Sequence, residues 1–225
     1  MGGQTFAKYI TTTETGTVQA TVAKWGYVIH ADASNMFSNK YAEAATNNGG
    51  TDDISVLATD AIVAPGTNGS MEITVEGKAE VDADVTFTTG STEWKDVKLT
   101  DNTTPYYPIL WTLTLEGESN PVTNATLAEV ESYFKTATFH YEAENYDAAD
   151  ASHVNLKYTL SWNWAFVYAD TDEARHINDK YDTLLGAASA NGLTESSETI
   201  DGNVHNYSYV TSISFNLGVS VTQVD

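Results

Sequence analysis

A chain of 225 residues, 41% of them hydrophobic and 18% charged, has material for one sizeable core, and all-β domains reach this length without dividing. Its 31 acidic against 10 basic residues give a formal net charge of −21, which repels nucleic acid and anionic lipid, because both bind through Lys and Arg. The lack of cysteine excludes disulfides, thiolate metal sites and cysteine nucleophiles, and no run approaches the ~20 apolar residues of a membrane span.

The opening MGGQTFAKYI has no signal-peptide apolar stretch, so the chain is expected to be either cytosolic or in its mature form. Val18, Ala20 and Val22 begin a period-two alternation that places every second side chain on one strand face. The phase then changes to Trp25, Tyr27 and Ile29, which predicts a bulge near Gly26. Asn35 to Ala45 is a weak helix candidate that runs into NNGG. From Met71 the apolar set continues through Ile73, Val75, Ala79, Val81, Ala83, Val85 and Phe87, broken at Gly77 into two strands or one bent strand. Tyr107, Ile109, Trp111, Leu113 and Leu115 repeat the pattern. Thr126 and Glu129 form a capping-box pair ahead of Leu127, Val130 and Phe134. Val154 to Phe166 alternates again. Thr171 to Leu185 reads as a helix with Ala174, Ile177, Tyr181 and Leu184 on one side and Gly186 as its stop. Tyr207, Tyr209, Ile213, Phe215, Leu217, Val219 and Val221 complete the set.

Alternation of this kind belongs to antiparallel sheets with one solvated face. The expected fold is therefore an all-β, jelly-roll-like antiparallel sandwich whose long strands bend between two sheets. A few short helices sit in its connections, packed outside the sandwich or across its ends.

Catalytic signatures are missing one by one: there is no H-E-x-x-H, G-x-S-x-G or G-x-G-x-x-G, and GSMEITVEGK has the wrong spacing for a phosphate loop. No enzyme is expected. His30, His140, His153, His176 and His205 are scattered without zinc spacing. Asp170, Asp172, Asp179 and Asp182 supply the hard oxygens that calcium takes, yet they match no EF-hand loop, and a solvated acidic face is the plainer reading. No cofactor is required, with calcium as the second reading. Asn68, Asn102, Asn124 and Asn206 are N-glycosylation acceptors of the kind that also arise by chance in a Ser- and Thr-rich chain. Trp25, Trp111, Trp162 and Trp164 alternate in phase with aliphatic residues and are assigned to the core rather than to a sugar platform.

Several segments in order resemble the TasA and camelysin family of biofilm-matrix fibre proteins and, more distantly, archaeal bundling pilins. They are ETGTVQATV at 14–22, VAPGTNGSMEITVEG at 63–77, AEVDADVTF at 79–87, LSWNWAF at 160–166, DTDEARHINDKYDTLLG at 170–186 and the closing SISFNLGVSVTQVD. The opening GGQTFAKYI departs from the family pattern. The resemblance implies an exported subunit at the cell surface or in the extracellular matrix. Its jelly roll would lack one strand and receive it from the N-terminal segment of the next copy. Residues 1–15 are then the donor segment and residues 16–225 the jelly-roll domain, with Gln4, Thr5, Phe6, Ala7, Lys8, Tyr9, Ile10, Thr11 and Thr12 as the donated strand. Twelve extended residues reach at most ~40 Å, enough to enter a neighbouring domain. A tail seated in a distant groove is a heterologous contact, which propagates into a head-to-tail homopolymer that other matrix components could join. The alternative is a monomeric carbohydrate-binding or adhesin-type sandwich that binds calcium.

Overall fold

Alternating apolar and polar residues can bury one face of a strand only if that face meets a second layer, and the chain builds two such layers. The computed structural model describes residues 25–37, 62–91, 93–117, 121–143, 154–165 and 171–224. In chain order these form β1 (Trp25–Asp32), β2 (Thr67–Ala79), β3 (Ala83–Thr88), β4 (Lys98–Asp101), β5 (Thr104–Tyr106), β6 (Leu110–Leu115) and β7 (Val122–Ala125). There follow α1 (Leu127–Thr136), β8 (Thr138–Tyr141), β9 (Val154–Trp164), α2 (Asp172–Asn191), β10 (Glu195–Ile200), β11 (Asn203–Val210) and β12 (Gly218–Gln223). The fold is the expected all-β sandwich.

One layer is a five-stranded sheet in the order β1-β2-β9-β6-β7, antiparallel throughout. Its inner face is the alternating set: Ile73, Val75, Trp111, Leu113, Leu156, Leu160, Trp162 and Trp164 are all buried. The other layer comprises a four-stranded sheet β10-β11-β4-β5 and a three-stranded sheet β12-β3-β8. These two are halves of one bent ladder. Tyr207 to Val210 pair with Asp101 to Lys98, Ser214 bridges Lys95, and Gly218 to Gln223 pair with Thr88 to Ala83. β3 with β4, and β11 with β12, are thus two long strands interrupted at the same level, which is the bending that their length suggested.

α1 forms where the sequence places it, with Thr126 and Glu129 exchanging both capping-box bonds and Leu127, Val130 and Phe134 buried. Phe134 meets Phe87 at 5.0 Å and Tyr158 at 5.8 Å between ring centroids, tying the helix to both layers. α2 departs from expectation. It runs 20 residues, past Gly186, and ends at Gly192, whose φ of 63° is the left-handed cap. An exposed glycine costs a helix only ~1 kcal/mol, and burying Leu185 and Ala188 on either side of Gly186 outweighs that. The docked face is consequently rotated: Ile177 is exposed, and Tyr181 and Leu184 pack beside Leu185 and Ala188.

Two further expectations change. β1 pairs with β2 in unbroken register from Trp25 to Asp32, so no bulge occurs at Gly26. Of the two forms expected at Gly77, the chain takes the single strand that runs on through the glycine. Gly77 lies inside β2, where a Cβ would collide with the Gly26 carbonyl and stand 2.6 Å from the Tyr27 ring, and the break between β2 and β3 falls at residues 80–82. Asn35 to Phe37 form a turn and bend, and the remainder of the expected Asn35–Ala45 helix lies outside the described residues.

Candidate functional site

An edge strand presents unpaired N–H and C=O groups along one side. β1 borders the larger sheet, and among the described residues no strand pairs with its outer side. Its surface is unusual for an edge. Val28 is 52% exposed, and Ile29 is 42% exposed although it stands opposite Val75, which is 1% exposed. Cross-strand partners share a sheet face, so Ile29 belongs to the core side but has no described layer over it. Asp32 is the only acidic residue on β1, which makes the strand close to neutral on a strongly anionic molecule. Tyr27 faces Tyr141 of β8 closely enough that burial, reinforced by that neighbour, pushes its hydroxyl up to about 12. β1 and β8 therefore approach each other across the two layers at Tyr27 and Tyr141.

The far end of β1 is held differently. Met36 is buried, its carbonyl accepts the Trp162 indole N–H at 2.8 Å, and the Asn35 carbonyl accepts the Ser70 N–H at 3.0 Å. Gly69 makes this close approach possible, because a Cβ there would strike the Met36 carbonyl and lie 2.7 Å from the indole nitrogen.

The expected donor strand, Gln4 to Thr12, lies outside the described residues, as do Asp170 and His153. The remaining calcium candidates do not converge. Asp172 pairs with Arg175, Asp179 faces solvent, and Asp182 turns inward, where Tyr106 Oη donates to one oxygen at 2.8 Å and Trp164 Nε1 to the other at 3.3 Å. Burial, with Asp179 adding to it, raises the Asp182 carboxyl to about 6. Among the described residues no group of three or more His, Asp or Glu side chains gathers around a point that could hold a metal.

The acidic helix instead docks on the four-stranded sheet, with Asp182 reaching Trp164 of the larger one. Tyr181 Oη donates to Asp101 at 3.1 Å, and His205 Nδ1 sits 2.8 Å from the same carboxylate. Lys180 Nζ reaches Glu198 at 2.6 Å and Tyr207 Oη at 3.1 Å, and the Glu198 hydrogen bond leads in pushing the lysine up to about 12. A second half-buried carboxylate went unmarked in the sequence. Asp96 Oδ2 accepts the Trp111 indole N–H and the Leu127 backbone N–H, both at 3.1 Å, while burial raises the group to about 6. No residue spacing announces either acid, since each partner is distant in the chain.

The sequons fall on exposed positions. Asn68 is the second residue of β2, Asn124 sits in β7 with a φ of 50°, and Asn102 and Asn206 clasp each other through Asn102 Oδ1, which accepts the Asn206 N–H at 3.1 Å. Trp94, Trp111, Trp162 and Trp164 are buried, so none of these four offers an aromatic platform. The β10-β11 hairpin was also missed, although its Asp201-Gly202 turn, with φ of 50° and 82°, is a hairpin signal that could have revealed it.

Fold and edge together define an antiparallel β-sandwich with an edge strand, β1, that exposes Val28 and Ile29 and has no partner on its outer side among the described residues. No protein-family model matches the chain, and neither a curated protein nor a solved structure gives a significant match.

Proposed function

We propose that this chain is the structural subunit of an extracellular filament, of pilus or biofilm-matrix type, that polymerises head to tail by donor-strand complementation. The reading rests on β1: eight residues of regular edge with adjacent exposed Val28 and Ile29. A strand added there would satisfy the edge's backbone groups, and its side chains would cover the core-facing Ile29. The near-neutral donor segment around Phe6, Tyr9 and Ile10 suits a near-neutral edge, because two surfaces of a −21 molecule approach most easily where charge is sparse. A contact between one copy's tail and another copy's edge does not close on itself, so it extends into a fibre.

Deleting residues 2–13 should leave a folded protein that runs as a monomer and shows no filaments by negative-stain microscopy. Normal filaments from that truncation would defeat the proposal.

A further inference from the structure

The outer face of the larger sheet carries a second feature, independent of β1 and of polymerisation. Outward side chains align in rows across the strands, Asn68 with Asn163, and Ser70 with Ser161 and Thr112. With Asn124 of β7 and the apolar side chain of Leu110, which stands opposite Asn163, they line a shallow trough of about 420 Å³. No ionisable side chain lines it, and the next charged residues along β2 and β9, Glu72 and Lys157, neutralise each other at 3.0 Å. On a chain with a net charge of −21 this is a local exception.

The trough's chemistry selects its ligand class. Three amides and three hydroxyls can each donate and accept hydrogen bonds, although Ser161 Oγ already donates to the Thr112 carbonyl at 3.4 Å and offers a ligand chiefly its acceptor side. An ion finds no countercharge here, and an apolar ligand would leave these groups unpaired at a cost. A peptide strand cannot add, because the backbone of β9 is already paired with β2 on one side and β6 on the other. A chain of vicinal hydroxyls meets every requirement, and ~300–1,000 Å³ is the usual span of small-ligand sites. We infer that this trough binds a neutral saccharide segment through Asn68, Ser70, Thr112, Asn124, Ser161 and Asn163. Without a stacking ring the affinity of one site is on the order of millimolar, and repetition along a polymer would raise it by avidity.

The test uses full-length protein from a host that does not glycosylate, since a glycan on Asn68 or Asn124 would fill the trough. Titration with neutral hexasaccharides (glucan, mannan and chitin series) should show binding that is unchanged between ~0.05 and ~0.5 M NaCl, as expected of an uncharged contact. The Ser161→Ala/Asn163→Ala double variant, whose changes face outward, should retain its melting temperature and bind at least ~5-fold more weakly. Failure of every neutral saccharide to bind, or equal binding by the double variant, would overturn the inference. Binding of acidic polysaccharides alone would do so too, as would self-association that Ser161→Arg abolishes with no saccharide bound.

Discussion

Two half-buried carboxylates should make this protein more stable in mild acid than at neutrality. Burial raises Asp96 and Asp182 from 3.8 to about 6, so between those values the folded state holds protons that the unfolded chain has released. Stability therefore rises as pH falls through 6 and levels off below about 4. Each shift of roughly two units corresponds to ~3 kcal/mol of penalty carried by the ionised group at pH 7. Acidifying from pH 7 to 5 should recover ~1.3 kcal/mol per carboxylate. His140, raised by its bond to Asp84, acts in the same direction, because its contribution is present below the unfolded value and lost as pH rises. Glu129 and Glu198 are lowered by Thr126 and Lys180, so their contributions fade as pH falls below about 4.5 and set the acid limit. The optimum should sit near pH 5. Urea unfolding at half-unit steps from pH 4.5 to 8 measures it, with Asp96→Asn as the decisive variant. An Asn oxygen in the place of Oδ2 keeps the bonds to Trp111 and Leu127. Whatever offset the amide introduces, the variant's gain between pH 7 and 5 should shrink by ~1.3 kcal/mol. An unchanged slope, or a stability that climbs with pH across this range, would refute the reasoning.

Other outcomes follow from the same geometry. Ile29→Lys places a charge on the β1 edge, and because Ile29 is 42% exposed the monomer should lose no more than ~1 kcal/mol while filaments disappear from micrographs. Filaments of ordinary length would show that β1 is not the acceptor. Gly69→Ala drives a methyl into the Met36 carbonyl and should cost about 1–3 kcal/mol in chemical denaturation, with a change in Trp162 fluorescence; neutral behaviour would mean that residues 33–37 do not rest there. Lateral bundling of a −21 chain should increase with salt or calcium, read by turbidity, because screening shortens the reach of surface charge. Equal bundling at ~0.01 M salt with chelator present would count against screening.

The elements legible in the sequence are those whose alternation is driven by burial on one face: β2, β3, β6, β9 and the β11-β12 run. α1 was legible because its capping box is local. β10 was not, since its ESSETI exposes or half-exposes every residue and leaves no apolar rhythm. β4, β5, β7 and β8 span only three or four residues each, too short to set a period. The stop at Gly186 misled because glycine marks a helix end only where packing beyond it fails, and Leu185 and Ala188 keep α2 packed. Asp96 and Asp182 were hidden for another reason, as their meaning comes from indole donors far away in the chain.

Ile29 shows where sequence reading stops for function. Its alternation places it correctly on the core-facing side of β1, opposite buried Val75. Periodicity reports which way a side chain points, but not whether a second layer lies over it. A core-facing residue under a complete sandwich and one left for another strand to cover carry the same sequence pattern. They differ only in three dimensions, where one is dry and the other is 42% exposed. That difference is what turns an ordinary edge into a candidate acceptor. Exposed apolar side chains also occur away from this edge, at Val204 and Ile177, but only on β1 do they adjoin a row of backbone groups with no partner among the described residues, where an added strand would cover side chain and backbone together.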